Sequence, residues 1–193
     1  GYIIIDEQHK FGVKQRKNLS DKGGNNCDVL LMSATPIPRT LTMTIYGDMD
    51  LSIIREKPAT RKPIKTYSKL ETKIDDVLMF IKKQIELNNQ VFWVCPLIEE
   101  SKKVDHTSAV KKFEYLSKAF PNNVGLLHGK TNIEDKELIL NNFLNNKFKI
   151  LVSTTIIEVG IDFPNANAII IENANKFGLS QLHQLRGRVG RGS

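Results

Sequence analysis

Short apolar runs recur along the chain, each separated from the next by a helical pattern or a polar turn. Tyr2–Ile5, Val29–Met32, Ile64–Tyr67, Val91–Cys95, Val124–Leu127, Ile150–Val152 and Ala168–Ile171 are too short for helices and bounded by turn residues, so they predict strands. Between them, Val77, Leu78, Ile81 and Ile85 fall on one helical face, as do Ala109, Phe113, Leu116 and Phe120. Ile139, Leu140, Phe143 and Leu144 make a further apolar helical face. Strands alternating with helices predict βαβ units around a parallel sheet, an α/β fold. Tyr2–Ile5 lacks polar alternation, which suits a strand covered on both faces.

The stretch "EKPATRKPIK", Glu56 to Lys65, interrupts this pattern with prolines and cations and almost nothing apolar, the composition of a solvated connector. It predicts a boundary, with residues 1–58 the carboxyl-terminal part of a first lobe, 59–63 a linker and 64–193 a second lobe. The first piece has two clear strands, too few to close a core easily by itself. Composition adds a soluble globular class, with 40% hydrophobic and 25% charged residues among 193. No apolar run approaches the roughly 20 residues of a membrane span, and the opening residues lack the order of a secretory signal, so a cytoplasmic protein is expected. Cys27 and Cys95 lie far apart without metal-ligand spacing, which suggests neither a zinc site nor a disulfide framework. The formal charge of +7 favours a polyanionic partner such as nucleic acid, although lysines interleaved with asparagines in "NNKFK" also read as a biased solvated surface.

The candidate chemistry collects at strand ends. Asp6 and Glu7 follow the first apolar run directly, at the sheet edge where ligands of open α/β sheets bind, though an acidic loop after a core strand reads the same way. Ser33, Ala34 and Thr35 follow the second run in "LLMSATPIPRTL", either as ordinary helix-start chemistry or as a second polar signature on that edge. "GLLHGKT", Gly125 to Thr131, has three residues between its glycines where a phosphate loop needs four, and it continues a strand. Thr131 with Glu134 is expected to make a capping box for the next helix, while Gly129 and Lys130 at the turn can meet a phosphate backbone. "ILVSTTIIEVGIDFPNA" repeats the strand-then-hydroxyl arrangement with Ser153, Thr154 and Thr155, then Glu158, Gly160 and Asp162. "QLRGRVGR" sets Gln184, Arg186, Arg188 and Arg191 around Gly187 and Gly190, where always-charged planar guanidinium groups can address a phosphate.

Taken in order, DEQH, SATPIPRTL, LLHGK, STTIIEVGIDFPNA and QLRGRVGR resemble superfamily 2 helicases and, within these, the RecG family of ATP-dependent branched-DNA helicases. The resemblance covers the whole chain. "DEQHKFGVKQR" and "VCPLIEES" favour it over the transcription-repair coupling factor Mfd, the alternative within the same superfamily. The resemblance implies RecA-like lobes of the P-loop NTPase type, one truncated and one nearly complete, in a DNA helicase of recombination and repair. It implies ATP and Mg2+ as cofactors, branched DNA as sequence-independent partner, and a monomer. Asp6 would hold the magnesium, Glu7 would activate water, and Gln8 and His9 would link the nucleotide to the cleft. Ser33, Ala34 and Thr35 would couple nucleotide state to DNA; Gly129, Lys130, Thr154 and Thr155 would contact the DNA backbone. Gly160, Asp162, Gln184 and Gly187 would contribute to nucleotide binding, and closure of the lobes would bring Arg188 and Arg191 to the γ-phosphate as arginine fingers. The family's phosphate loop ahead of Asp6 is missing from these residues, so the chain is expected to be a catalytically incomplete piece of such an enzyme.

Overall fold

The computed structural model describes residues 1–7, 27–34, 50–56, 63–96, 102–154 and 163–192, with the backbone alone for 102–107. The contacts divide the chain into two compact units, Gly1–Ile54 and Arg55–Ser193. Much of the expected linker, residues 59–62, lies outside the described residues.

In the first unit, β1 (Tyr2–Ile5) and β2 (Asp28–Leu31) pair in parallel, Tyr2 opposite Asp28 and Ile5 opposite Leu31. The parallel pairing agrees with the sequence pattern. Coverage on both faces does not extend to every position: Ile5 is buried, whereas Tyr2 and Ile4 are 64% and 58% exposed.

The second unit runs α1 (Ile74–Glu86), β3 (Gln90–Val94), α2 (Lys102–Ala119), β4 (Val124–Leu127), α3 (Ile133–Leu144), β5 (Ile150–Ser153), β6 (Ala166–Ile171) and α4 (Leu179–Arg186). Its sheet has the order β4-β5-β3-β6, and every pairing is parallel. Every residue of β3 and β5 is buried, as central strands of a parallel sheet covered on both faces require. Alternation sorts their side chains between two cores. Val91, Trp93, Ile150 and Val152 pack with Ile81 of α1 and with Ala109 and Leu116 of α2. Phe92 and Leu151 pack on the opposite face with Leu140 and Phe143 of α3 and with Phe163 and Val189. All three expected helical faces are found in these cores, with Val77, Leu78, Ile85, Phe113 and Phe120 packed against the first and Ile139 and Leu144 against the second.

The expected strand at Ile64–Tyr67 is absent: residues 63–70 carry no regular structure. Ile64 alone packs against the second core, while Tyr67 and Leu70 are 77% and 76% exposed, so the run has no second buried side chain to hold a strand register.

Candidate nucleotide and nucleic-acid sites

In the first unit the register of β1 against β2 puts both polar signatures on one edge. The Met32 amide donates to the Ile5 carbonyl at 2.8 Å, extending the ladder one step past the strands. Asp6 and Glu7 on one side therefore stand beside Ser33 and Ala34 on the other. The Glu7 amide donates to Asp6 Oδ1 at 2.8 Å, and Glu7 takes φ 50°, the left-handed region that non-glycine residues seldom occupy. A turn of that kind sends the chain sharply off the strand, leaving Asp6 exposed and Glu7 half-buried. Among the described residues no cluster of three metal-ligating side chains occurs. A lone hard carboxylate fits magnesium, which keeps much of its water and binds through one or two carboxylates together with substrate phosphates. Gln8, His9 and Thr35 lie outside the described residues.

In the second unit, Thr154 follows β5 and is 3% exposed, its amide donating to the Leu127 carbonyl at 3.3 Å. The turn after β4 is organised by His128 and Thr131. The His128 amide donates to Thr131 Oγ1 at 3.1 Å, the Thr131 amide to the His128 carbonyl at 3.0 Å, and the Lys130 amide to His128 Nδ1 at 3.2 Å. The expected Thr131–Glu134 capping box is replaced by a cap one residue later: Asn132 is the N-cap, and its side-chain oxygen accepts from the Asp135 amide at 2.7 Å. Thr131 is not the cap because its hydroxyl serves the turn instead. Gly129 and Lys130 are exposed in this turn; Lys130 lines an open groove of about 350 Å³, and a side chain at Gly129 would meet nothing within 4 Å. Thr155, Glu158, Gly160 and Asp162 lie outside the described residues.

The arginine segment lies at the other end of this sheet. α4 carries Gln184, half-buried, and ends with Gly187 as C-cap. Arg191 Nε donates back to the Gly187 carbonyl at 2.8 Å, a cation on a helix C-terminus. Val189 is buried beside Phe163 and Ala166, and the Gly190 amide donates to the Ala166 carbonyl at 3.2 Å. Gly190 takes φ 70°, which glycine adopts without strain. A Cβ on Gly192 would collide with the Pro164 carbonyl. The segment bearing Arg188 and Arg191 is thus fastened to the stretch that directly follows Asp162 in sequence. The structure separates the candidate site residues of this unit into two groups: Gly129, Lys130 and Thr154 at the carboxyl ends of the strands, and the arginine segment where β6 begins, opposite Gln90.

A side-chain cluster that no motif announces sits at the carboxyl end of β3. Glu172 Oε2 accepts from Trp93 Nε1 at 3.2 Å and from Cys95 Sγ at 3.5 Å, and Glu172 Oε1 pairs with Lys112 Nζ at 3.0 Å. Burial, then the neighbouring Glu172 carboxylate, push the Cys95 thiol up to about 12. These residues are scattered between positions 93 and 172, so no local pattern could have found them.

The model of the helicase conserved C-terminal domain matches residues 72–193. Over 192 residues the chain is 51% identical to the ATP-dependent DNA helicase RecG of Bacillus subtilis, covering 98% of this chain and 28% of that protein. To the RecG of Thermotoga maritima it is 50% identical, over all of this chain and 25% of the relative. The chain therefore spans about a quarter of the length of the curated relatives it matches. A solved structure of RecG bound to a three-way DNA junction superposes with a TM-score of 0.70 at 44% identity, over all of this chain and 24% of that one. The yeast protein Dbp5 bound to RNA and ADP BeF3 superposes at 0.61 with 17% identity, over 98% of this chain and 50% of that one, which shows the shared fold. The resemblance to RecG carried by five motifs thus extends along the entire chain, and with more than half of its residues matched, the chain belongs to the helicase conserved C-terminal domain family.

Proposed function

We propose that this chain is the motor portion of a RecG-type, ATP-dependent DNA helicase that acts on branched DNA in recombination and repair, as a cytoplasmic monomer. Its two units are read as parts of the two RecA-like lobes, the first truncated and the second nearly complete, joined at residues 59–63. The observation that carries this reading is the identity of about half the residues with RecG helicases over 98% or more of the chain. The placement of the carboxylates, hydroxyls and arginines supports it.

Asp6, exposed at the end of β1, would hold the magnesium of Mg-ATP, whose chemistry is to neutralise charge on the β- and γ-phosphates. Glu7 is the residue that orients the attacking water and takes its proton. The surroundings of the two residues support this division of labour: Asp6 stands exposed at a strand end, while Glu7, turned off the strand at φ 50°, is half-buried. Ser33, Ala34 and Thr35 pass the nucleotide state onward, and Gln8, His9, Gly160, Asp162, Gln184 and Gly187 contribute to holding the nucleotide. Arg188 and Arg191 place delocalised positive charge at the γ-phosphoryl group as it departs. Gly129, Lys130, Thr154 and Thr155 grip the DNA backbone, which positions without reading sequence, as movement along arbitrary DNA requires.

The test is ATP turnover by the full-length protein with and without a three-way DNA junction. Turnover stimulated by the junction and lost in Glu7→Gln supports the reading. Turnover indifferent to DNA, or fully retained by Glu7→Gln, overturns it.

A further inference from the structure

The carboxyl ends of the second unit's strands are joined sideways by main-chain hydrogen bonds just beyond the ladders. Thr154 donates to Leu127, Cys95 to Ser153 at 2.8 Å, and Glu172 to Val94 at 2.9 Å. This row has Thr154 and Leu127 at one end, with the candidate DNA contact Lys130 in the turn that follows Leu127, and Glu172 at the other. From Glu172 the chain turns through Asn173, at φ 49°, and a short 3-10 turn at Ala174–Lys176 into α4, which leads to the arginines. Glu172 is thus the last residue of the row and the first of the segment that carries the arginines.

Its side chain is held more firmly than such a connecting position needs. Both carboxylate oxygens are engaged, by donors from β3, from Cys95 just after it, and from α2. Lys112 Nζ also lies 5.0 Å from the centre of the Trp93 ring and 5.5 Å from that of Tyr115, so the cation facing Glu172 is itself fixed by two aromatic faces. Glu172 and Lys112 keep 21% side-chain exposure each, a partly desolvated pair in which geometry matters more than net stabilisation. A carboxylate with so many fixed partners has one well-defined position, and the chain leaving it inherits that position.

We propose that Glu172, braced by Lys112 and Trp93, is a positioning residue that links the DNA-facing edge of this unit to the arginine-bearing segment, so that DNA engagement at the exposed Lys130 turn, which the buried Thr154 backs, promotes ATP turnover. The inference rests on the helicase reading above and adds to it a route within one unit. Ser153 and Thr154 adjoin Cys95 through the ladder, Cys95 touches the Glu172 carboxylate, and Glu172 begins the path to Arg188.

The experiment compares Glu172→Gln, Lys112→Met and Lys112→Arg in the full-length protein, recording ATP turnover without DNA, turnover at saturating junction DNA, DNA affinity and Tm. Glu172→Gln and Lys112→Met are expected to lower the ratio of stimulated to basal turnover at least about fivefold, the lower end of couplings between linked sites. DNA affinity and basal turnover should stay as in the wild type, and Lys112→Arg, which keeps a cation for the carboxylate, should restore most of the ratio. A ratio unchanged in Glu172→Gln and Lys112→Met overturns the inference, as does a parallel fall of basal and stimulated turnover together with Tm, which marks a purely structural brace. A wild-type protein without DNA stimulation overturns the helicase reading and the inference with it; a stimulated wild type with equally stimulated variants overturns the inference alone.

Discussion

Gln90 is the residue whose replacement most sharply tests how the second unit is held together. It opens β3, is 1% exposed, and its Nε2 donates to the Phe143 carbonyl at 2.5 Å and to the Phe148 carbonyl at 3.3 Å. It therefore ties the first residue of the central strand to the end of α3 and to the chain leading into β5. Gln90→Leu keeps the approximate size and the apolar stem but removes both donations. Phe143's carbonyl retains the Asn146 amide as a donor at 2.9 Å, so the main loss falls on Phe148. An intramolecular hydrogen bond contributes about 0.5–1.5 kcal/mol net, and a buried acceptor deprived of its donor costs about 1–3 kcal/mol, against which leucine's extra apolar burial offsets part. The net expectation is a loss of about 1–3 kcal/mol. For a protein of this size each kcal/mol moves Tm by roughly 2–4 °C, so a loss near the middle of the range lowers Tm by about 4–8 °C. The effect should reach function, because the Gln90 amide donates to Asn165 at 2.7 Å and Gln90 stands opposite Ala166, the residue that anchors Gly190 of the arginine segment. Thermal unfolding followed by circular dichroism is the assay. A Tm equal to or above the wild type's would refute the assignment of Gln90 as a structural tie.

Cys95 should resist alkylation at pH 8 in the folded chain and react on unfolding. Its folded-state pKa of about 12 lies above an ordinary 9.0, so its contribution to stability is complete below pH 9 and is lost as pH rises towards 12; a Cys95→Ala variant with the same alkaline unfolding profile would contradict this. Arg188→Ala in the full-length protein should leave DNA binding nearly intact and lower ATP turnover by about 10³-fold or more, the range for a lost arginine finger, with Arg186→Ala as the milder control; the reverse order would move the finger assignment to Arg186. The 193-residue chain alone should release no phosphate from ATP above background, since it contains no phosphate-loop lysine, and measurable DNA-stimulated release would contradict that. Its DNA binding should be indifferent to sequence and fall steeply with salt, as backbone contacts dictate; titration of two unrelated sequences at two salt concentrations checks this, and a salt-independent affinity would refute it.

Much of the second unit was legible because central parallel strands are buried on both faces and so read as unbroken apolar runs, as in β3 and β5. The same reasoning failed at Ile64–Tyr67, where apolar character was present without a ladder partner or a buried face. Asparagine pairs carried a signal that charge patterning obscured. "NN" precedes each of β3, β4 and β5, and Asn88, Asn122 and Asn146 take φ 62°, 61° and 62°, a left-handed turn that asparagine tolerates better than most residues. What looked like solvated surface is partly the punctuation between elements. The helix start after Lys130 was misread by one residue because Thr131 and Asn132 are both competent caps, and only the side-chain bond to His128 decides between them. The motifs point to the carboxylates, hydroxyls and arginines as candidates, whereas the Glu172 cluster depends on contacts between residues up to 79 positions apart and has no local pattern to find.

The central claim, that these residues drive a RecG-type motor on branched DNA, is tested most directly by strand separation. A labelled three-way junction is incubated with the full-length protein and ATP, and the released strand is followed with time alongside Glu7→Gln and Arg188→Ala. The account predicts ATP-dependent strand release by the wild type and none above background by either variant. Failure of the wild type to separate any strand while displacing a stalled polymerase from duplex DNA would contradict it.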